Sequence, residues 1–498
     1  MNKKKLFPVL LISSFTFLGN NTNAQDFSDV LRYSSLKTGT TARTLAIGGA
    51  AGSLGADYSA ASVNPAGLGV YRQNQIIVTP YLSLNNTSGK YIGQTAHDNN
   101  TAFKLRSLAM VLNQSNSERS GWKGLTFAVG VNKLADFNTN STIQGINNQS
   151  SFSELMAFDA QNYGVNESGG PLGFLGYQSY LLTNDFKSVP YHNVIAEGGT
   201  LKQTQYKETK GAVNEYTLSI AGNYDDKFMI GGTLGITTYK FNRTNDFLEA
   251  DNTGSITNGF NSFTFRENLQ SSGVGINGKF GVIYAASPAF RFGASIHTPT
   301  AASMTDLVDY NVVNNLDNGT TYDVSPQSLY RSDYTITTPM RGIVSATGFF
   351  GNSGFITGDV EVVPFNTMRI RYSGGGVGNS QAARAQNDFI RNNFKTAINA
   401  RLGAEARLNR DFALRVGVAY YGNPYQDNVN NMGGETMDYS LGIGYQIGSG
   451  VSLDFTYTYS QNNYKDIPYS LNIPGVTFYD AAYKNNRNVV ALTLGIKY

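Results

Sequence analysis

The sequence predicts an all-β fold: a closed, membrane-spanning, antiparallel β-barrel of fourteen strands, with an N-terminal plug in its lumen and long extracellular loops. Three observations predict it. Short segments of period-two alternation recur along most of the chain, and the connections between them switch regularly between tight turns and long polar stretches. Ahead of them, Ala42 to Gly69 reads ARTLAIGGAAGSLGADYSAASVNPAGLG, so rich in Gly, Ala and Ser that it has no large apolar face of its own. Such a segment needs walls supplied by something else.

Composition agrees. At ~150 residues per domain, 498 residues would suggest about three soluble domains, although a large barrel uses such a length as one unit. Charged residues make up only 15%, against ~25% in soluble globular proteins, while Gly (54), Tyr (31) and Phe (29) are abundant. Low charge with many aromatics suits a surface that faces lipid between two aromatic girdles. There is no Cys, which removes disulfides and thiolate metal sites.

The chain begins with Lys3, Lys4 and Lys5, an apolar run from Leu6 to Leu18, and polar residues ending in Thr22-Asn23-Ala24. This pattern predicts a secretory signal peptide over 1–24, cleaved after Ala24 and set aside from the fold. Those three lysines account for the whole excess of 38 Lys and Arg over 35 Asp and Glu. A mature chain near neutrality gives no electrostatic reason to expect nucleic acid. No later segment has ~18 consecutive apolar residues, which argues against a helical membrane protein.

In chain order, residues 25–72 read as the plug and 73–498 as the barrel. The strands follow as Ile76 to Leu84, Phe103 to Val111, Leu125 to Val131, Tyr216 to Tyr224, Ile230 to Thr238, Ile276 to Tyr284 and Phe290 to Thr298. Met340 to Phe350, Phe355 to Val363, Phe394 to Leu408, Phe412 to Tyr420, Tyr439 to Ile447, Val451 to Tyr459 and Val490 to Tyr498 complete the set. In the last, Val490, Leu492, Leu494 and Ile496 alternate with Ala491, Thr493, Gly495 and Lys497, giving one face for lipid and one for a lumen. Tight turns at Tyr224-Asp225-Asp226-Lys227, Ala286-Ser287-Pro288, Gly351-Asn352-Ser353, Asn409-Arg410 and Gly448-Ser449-Gly450 alternate with long connections near 85–102, 135–214, 242–273, 299–339, 364–392, 423–435 and 461–487. An even strand count with both ends on the turn side is what closure requires. A soluble β-sandwich would not produce that alternation.

Fourteen strands ~4.8 Å apart and tilted ~40° enclose a backbone radius of ~14 Å and a bore ~9 Å in radius, too wide for wall side chains alone to fill. The plug is the natural filler. Within it, Asn64-Pro65-Ala66-Gly67 combines a fixed φ at Pro with a permissive Gly, a sharp turn where plug meets wall. It reads either as a movable hinge or as a static turn.

Two further groups stand out. In the second long connection, Phe152, Leu155, Met156 and Phe158 fit one side of a short helix with Ser151 or Ser153 as N-cap, followed by Phe174 and Leu175. Apolar residues in a water-facing loop must be covered by each other or by a ligand, so the group is a loop core, a capture groove, or one built on the other. Lys395, Arg401, Glu405, Arg407 and Arg415 fall on lumen-facing positions, which suggests a wet interior. Arg401, Arg407 and Arg415 could meet a carboxylate ligand or pair with wall acids such as Asp359 and Glu361. His97, His192 and His297 are far apart, and no metal motif, nucleophile elbow or phosphate loop appears. No enzyme and no cofactor are expected.

Arg43, Gly48-Gly49-Ala50, Gly55-Ala56-Asp57 and Asn64-Pro65-Ala66 directly before the first strand resemble the N-terminal hatch of the FadL/TodX outer-membrane transporters. Phe292 to Pro299 is similar to a strand ending of that family, and the aromatic end, Tyr498, fits it too. The resemblance makes Arg43, Gly48, Gly49, Asp57, Asn64, Pro65, Ala66 and Gly67 hatch residues. It implies a monomer in a Gram-negative outer membrane, in contact with its lipid, that passively takes up a hydrophobic small molecule such as a long-chain fatty acid or an aromatic hydrocarbon. Capture would occur among external loops, passage through a lumen pocket, and release by a shift of the hatch, with sideways exit at a kink in the third strand. That strand, Gly124 to Leu134, shows no Pro or bulge signal beyond Gly130. The second connection is much enlarged relative to the family. A plugged barrel that docks or assembles a secretion or surface complex is the alternative; the plug argues against an open porin.

Overall fold

The computed structural model describes residues 27–115, 121–167, 169–184, 191–193, 195, 200–254, 259–374, 377–427, 429, 433–469 and 479–498. The signal segment expected at 1–24 lies outside them. Fourteen strands form a ring: Gln75–Tyr91, Gln94–Ser115, Trp122–Asp136, Leu201–Tyr224, Phe228–Asp251, Phe260–Ser287 and Phe290–His297 make one half. Arg341–Phe349, Gly354–Pro364, Thr396–Arg407, Phe412–Tyr421, Gly433–Ile447, Val451–Asp466 and Ala481–Lys497 make the other. Neighbours are antiparallel, and the first strand pairs with the last from Gln75↔Lys497 onward. Closure leaves no unpaired edge, as a strand fold in hydrocarbon requires.

Period-two burial follows the sequence pattern. In the tenth strand Ala397, Asn399, Arg401, Gly403 and Glu405 are buried, whereas Ile398 and Leu402 are exposed. The same outward set recurs around the ring, with Phe127, Leu218, Phe280, Val344, Val416 and Leu441 all exposed. Exposure of so many large apolar side chains is stable only against lipid. Near the tight turns the outward residues become aromatic, including Trp122, Tyr224, Phe228, Tyr284, Phe412 and Tyr445, and the Trp122 and Tyr224 rings meet edge-on at 5.5 Å. The turn at Asp225-Asp226 has positive φ at both residues (54° and 53°), the geometry that joins two strands with minimal splay.

Three sequence expectations need correction. The long connections are largely not irregular: the strands run on through them. The first hairpin extends through 85–102 to a turn at Ile92-Gly93 (φ 44° and 79°), and the fifth and sixth strands reach 24 and 28 residues. At ~3.3 Å per residue and ~40° tilt, 24 residues rise ~60 Å, twice the ~30 Å hydrocarbon layer. Connection 299–339 contains Ala301–Leu316, Thr321–Val324 and Tyr330–Thr337, the first laddered onto the sixth ring strand. Connection 364–392 contains most of a 17-residue helix, Val377–Asn393.

Second, Phe394 does not face lipid. It is fully buried just before its strand begins, 5.1 Å from the Tyr425 ring. Third, the inward charges of the tenth strand do not all face open water. Arg401 and Glu405 have side chains only 0% and 1% exposed, because opposite charges and the N-terminal segment cover them.

Candidate functional site

The N-terminal segment is short helices joined by tight turns. Thr41 caps Ala42–Ala46, its side chain accepting from Thr44 N, and Asn64 caps the 3-10 turn Pro65–Val70 by accepting from Ala66 N at 3.2 Å. Pro65 stands where a missing N–H costs nothing. Gly67 N then donates to Asn64 O at 2.9 Å.

This segment touches strands on every side of the ring, which places it in the bore. Ala42 N donates to Thr493 Oγ1 (2.7 Å), Tyr58 and Thr217 share a 2.6 Å hydroxyl contact, and Ser53 meets Thr347 at 2.8 Å. Ala51 N and Gly52 N donate to the Asp359 carboxylate, each at 3.1 Å. Lys37 Nζ donates to Asp438 (2.8 Å), and Arg106 Nη2 donates to Gly39 O (2.9 Å). Val63 O lies 2.8 Å from both Ser295 Oγ and His297 Nε2. Acids and bases of the wall thus satisfy backbone groups that a small-residue segment cannot satisfy itself.

The abundance of glycine follows from close approach. A Cβ at Gly417 would stand 2.1 Å from Gly48 N, and one at Gly403 would stand 2.5 Å from Ile47 Cβ. Gly48 itself has φ +66° and faces the Val418 backbone. Gly49 (φ +79°) abuts Thr38. Asp57 accepts from Thr41 Oγ1 (2.9 Å) and Ser59 N (2.8 Å), and Arg43 Nη1 donates to Ala56 O at 3.0 Å. Pro65 and Ala66 are buried against the fourth to sixth strands.

Behind this grip lie ion pairs. Glu215 contacts Lys279 and accepts from Ser62 Oγ at 2.8 Å. Glu361 pairs with Arg341 at 3.0 Å and contacts Arg401, which also lies 3.9 Å from Asp359. Arg415 bridges Glu405 (2.7 Å) and Asp454 (2.6 Å). Arg401 and Arg415 therefore stand in the bore, already neutralised. Arg407 departs from the expectation: it lies at the turn-end rim, its side chain 51% exposed and 3.0 Å from Glu405. Lys395 is also outside the bore, paired with Asp427 among the loops. Glu215, Lys279, His297 and Arg341 went unnoticed as bore residues. Each sits at an inward position of a predicted strand or just beside one, and that position was the available signal.

At the loop end, Phe152–Tyr163 is a helix capped by Ser151, and Glu249 from the fifth strand accepts from Phe152 N at 2.8 Å. Pro171–Gln178 packs beside it, joined where Asp159 accepts from Gly173 N at 2.8 Å. Burial raises the Asp159 carboxyl to about 6. Phe152, Met156 and Leu175 are buried, Leu155 and Phe174 are half-buried, and Phe158 is exposed. The Phe152 ring is held 4.7 Å from Phe265 and 5.8 Å from Tyr469. Phe152, Met156 and Leu175, with Leu155 and Phe174 packed against them but not Phe158, belong to one buried cluster that includes Phe263, Phe241 and Tyr239 and reaches Tyr33 and Val30 of the N-terminal segment.

In the third strand the ladder slips between Lys133 and Ala135, a bulge that the sequence did not announce. Gly130 nearby admits Tyr58, whose hydroxyl would be 2.6 Å from an added Cβ.

Ring, filled bore and loop cap together make a transmembrane β-barrel whose fold is of the FadL/TodX type. No family model matches the chain, and no curated protein matches it. Solved structures do. A Pseudomonas aeruginosa FadL homologue superposes with a TM-score of 0.55 at 12% identity, over 92% of this chain and 98% of that one. The Pseudomonas putida toluene transporter TodX gives 0.53 at 11% identity, over 93% and 99%. The Ralstonia pickettii toluene transporter TbuX gives 0.50 at 15%, over 93% and 99%.

Proposed function

We propose that this chain is an outer-membrane channel for passive uptake of hydrophobic small molecules, long-chain fatty acids or aromatic hydrocarbons, with residues 25–72 acting as a movable hatch in a barrel formed by 73–498. One observation carries the reading. The buried apolar cluster runs unbroken from Phe152, Met156 and Leu175 of the loop cap to Tyr33 and Val30 of the hatch. A greasy ligand captured at the cap would find apolar neighbours along the whole column, and its burial is worth about 25 cal/mol per Å² of surface removed from water. The wall cations Lys279, Arg341, Arg401 and Arg415 are occupied with wall acids, which disfavours a porin.

In this scheme the turn end faces the periplasm, the extended strands stand outside the cell, and the monomer is inserted among outer-membrane lipids after export by its signal peptide. The toluene transporters and FadL homologue of like fold lend support to the same chemistry. A second reading, a plugged barrel that docks or assembles a secretion or surface complex, is favoured by a different fact: the column is filled by the protein's own aromatic side chains.

Uptake of labelled toluene and dodecanoate by cells lacking other hydrophobic channels distinguishes the two. Uptake that depends on this chain is expected. Uptake no faster than in empty cells would leave the docking reading standing. Mass spectrometry of lipids co-purifying with the protein would name the ligand.

A further inference from the structure

A short strand, Arg369–Tyr372, follows the ninth ring strand and pairs with Tyr330–Thr337, which ladders onto Ala301–Leu316 and through it onto the sixth ring strand. Register sets two rows across these strands: Ile276, Ala301, Thr337 and Arg369, then Val274, Ser303, Thr335 and Arg371. The residues that alternate with them, Ala302, Met304, Tyr334, Ile336, Ile370 and Tyr372, are buried, so both rows point outward. Val274 and Ile276 are each 53% exposed and continue the lipid-facing band. Ile276 lies 11 residues from the turn-end residue Ser287. That is a rise of ~28 Å at ~3.3 Å per residue and ~40° tilt, close to the ~30 Å hydrocarbon thickness. The two exposed arginines therefore stand at the loop-side edge of the membrane.

Their charge is unmatched on this face. Among the described residues neither Arg369 nor Arg371 forms an ion pair; Arg369 Nη1 donates to the carbonyls of Met368 (2.7 Å) and Asn366 (3.3 Å). In the next row outward, Asp333 already accepts from Arg331 through both oxygens, each at 2.9 Å, and from Thr305 Oγ1 at 2.6 Å. Asp388 of the flanking helix Val377–Asn393 is 3.3 Å from Arg391. The backbone between the two arginines is fixed as well: Asn387 of that helix accepts from Ile370 N and donates to Ile370 O, each at 2.9 Å. An arginine at a membrane edge lays its stem along apolar surface and keeps its head among polar groups. Its planar fork matches the oxygens of a phosphate.

We propose that Arg369 and Arg371, with the hydroxyls of Ser303, Thr335 and Thr337 beside them, form a site for the phosphate headgroup of an anionic membrane lipid in the loop-side leaflet. The lipid's acyl chains lie along Val274 and Ile276, and its headgroup pins the strands Tyr330–Thr337 and Arg369–Tyr372 at the membrane surface. The site depends on the barrel's seat in lipid, not on what the barrel carries.

The test uses the absence of Cys from the sequence, which lets Leu307→Cys, on the same outward face, take a single fluorophore in the full chain. The labelled barrel is reconstituted at low ionic strength in phosphatidylcholine vesicles that contain a headgroup-spin-labelled lipid, either phosphatidylglycerol or phosphatidylcholine. Quenching by the anionic lipid is expected to exceed that by the zwitterionic one by ~5-fold or more. The excess should vanish in Arg369→Gln/Arg371→Gln and persist in Lys227→Gln/Arg410→Gln, which removes the same charge at the turn end. The gel shift of the unboiled barrel establishes that each variant is folded. Equal quenching by the two lipids, or an excess that survives loss of both arginines, overturns the proposal. An excess abolished by millimolar inorganic phosphate assigns the site to free phosphate and overturns the lipid assignment. Both leaflets carry the quencher and uptake is not measured, so failure here leaves the transport reading untouched, and failure of uptake leaves this site untouched.

Discussion

Asn64 Nδ2 donates a 3.1 Å hydrogen bond to Val282 O on the sixth ring strand, and the residue before that acceptor, Gly281, leaves the space in which Asn64 Oδ1 lies. A Cβ at 281 would stand 1.8 Å from that oxygen, far inside contact. Gly281→Ala is therefore expected to push Asn64-Pro65 off the wall while the outer, lipid-facing surface stays unchanged. Single-channel recording in planar bilayers checks it: the variant should show openings that the parent lacks. A folded variant as closed as the parent would mean that this contact does not hold the segment in place.

The buried Glu215–Lys279 pair tests how much of the barrel's stability rests on its ionic interior. Lys279→Met strands a carboxylate that is 1% exposed, and breaking such a pair costs about 3–5 kcal/mol. Combining it with Glu215→Gln removes the charge and leaves an oxygen for Ser62 to bond, so the double variant should recover most of the loss. Urea midpoints of the lipid-reconstituted barrel decide it. Equal stability of the single and double variants would contradict the argument.

The ring was legible because its two faces meet different solvents. Residues such as Ile398 and Leu402 touch lipid and Asn399 and Arg401 touch the bore, so the sequence alternates and reveals the strand. Beyond the membrane that contrast disappears. Asn85 to Tyr91 and Gln94 to Ala102 are polar on both faces, and their strands resembled loops for that reason. The Val377–Asn393 helix was hidden similarly, its surface being polar nearly all round. The segment's place in the bore could be read from its small residues. Which wall group grips which carbonyl could not, because the partners of Val63 and Gly39 lie far away in sequence and depend on shear and register.

Acidity should tighten the loop cap. Burial raises the Asp159 carboxyl to about 6, above its ordinary 3.8, so the folded cap binds the proton more strongly than the open one. Stability of the cap is thus greatest below pH ~4 and declines as pH rises from ~4 to ~6, remaining lower above that. Hydrogen exchange at the Leu172 and Gly173 amides, corrected for intrinsic rate, should show more frequent opening at pH 7 than at pH 4.5. Asp159→Asn should flatten that dependence; an unaltered profile would assign it to another group.

Pro65 separates a hinge from a fixed turn. It opens the 3-10 turn after Asn64, and Ala can adopt the same φ, so Pro65→Ala should change stability by no more than about 1 kcal/mol through the unfolded chain. If hatch movement uses this point, uptake of a hydrophobic probe will change while the melting temperature barely moves. Unchanged uptake would make the turn static.

The loop cap offers a way to divide packing from capture, since its helix carries both a buried and an exposed apolar residue. Met156 is fully buried, and Met156→Ala should cost about 2–5 kcal/mol locally, seen as increased proteolysis within the cap. Phe158 on the same helix is 37% exposed, and Phe158→Ala at such a surface should cost far less, within about 0.5 kcal/mol if it packs little. A capture surface makes the opposite demand: the exposed ring is the one a ligand meets first. Reduced uptake of dodecanoate or toluene in Phe158→Ala, with the cap as protease-resistant as in the parent, would give the helix a role in binding. Uptake unaltered by Phe158→Ala but lowered by Met156→Ala would mean that the helix serves only to keep the cap folded over the column beneath it.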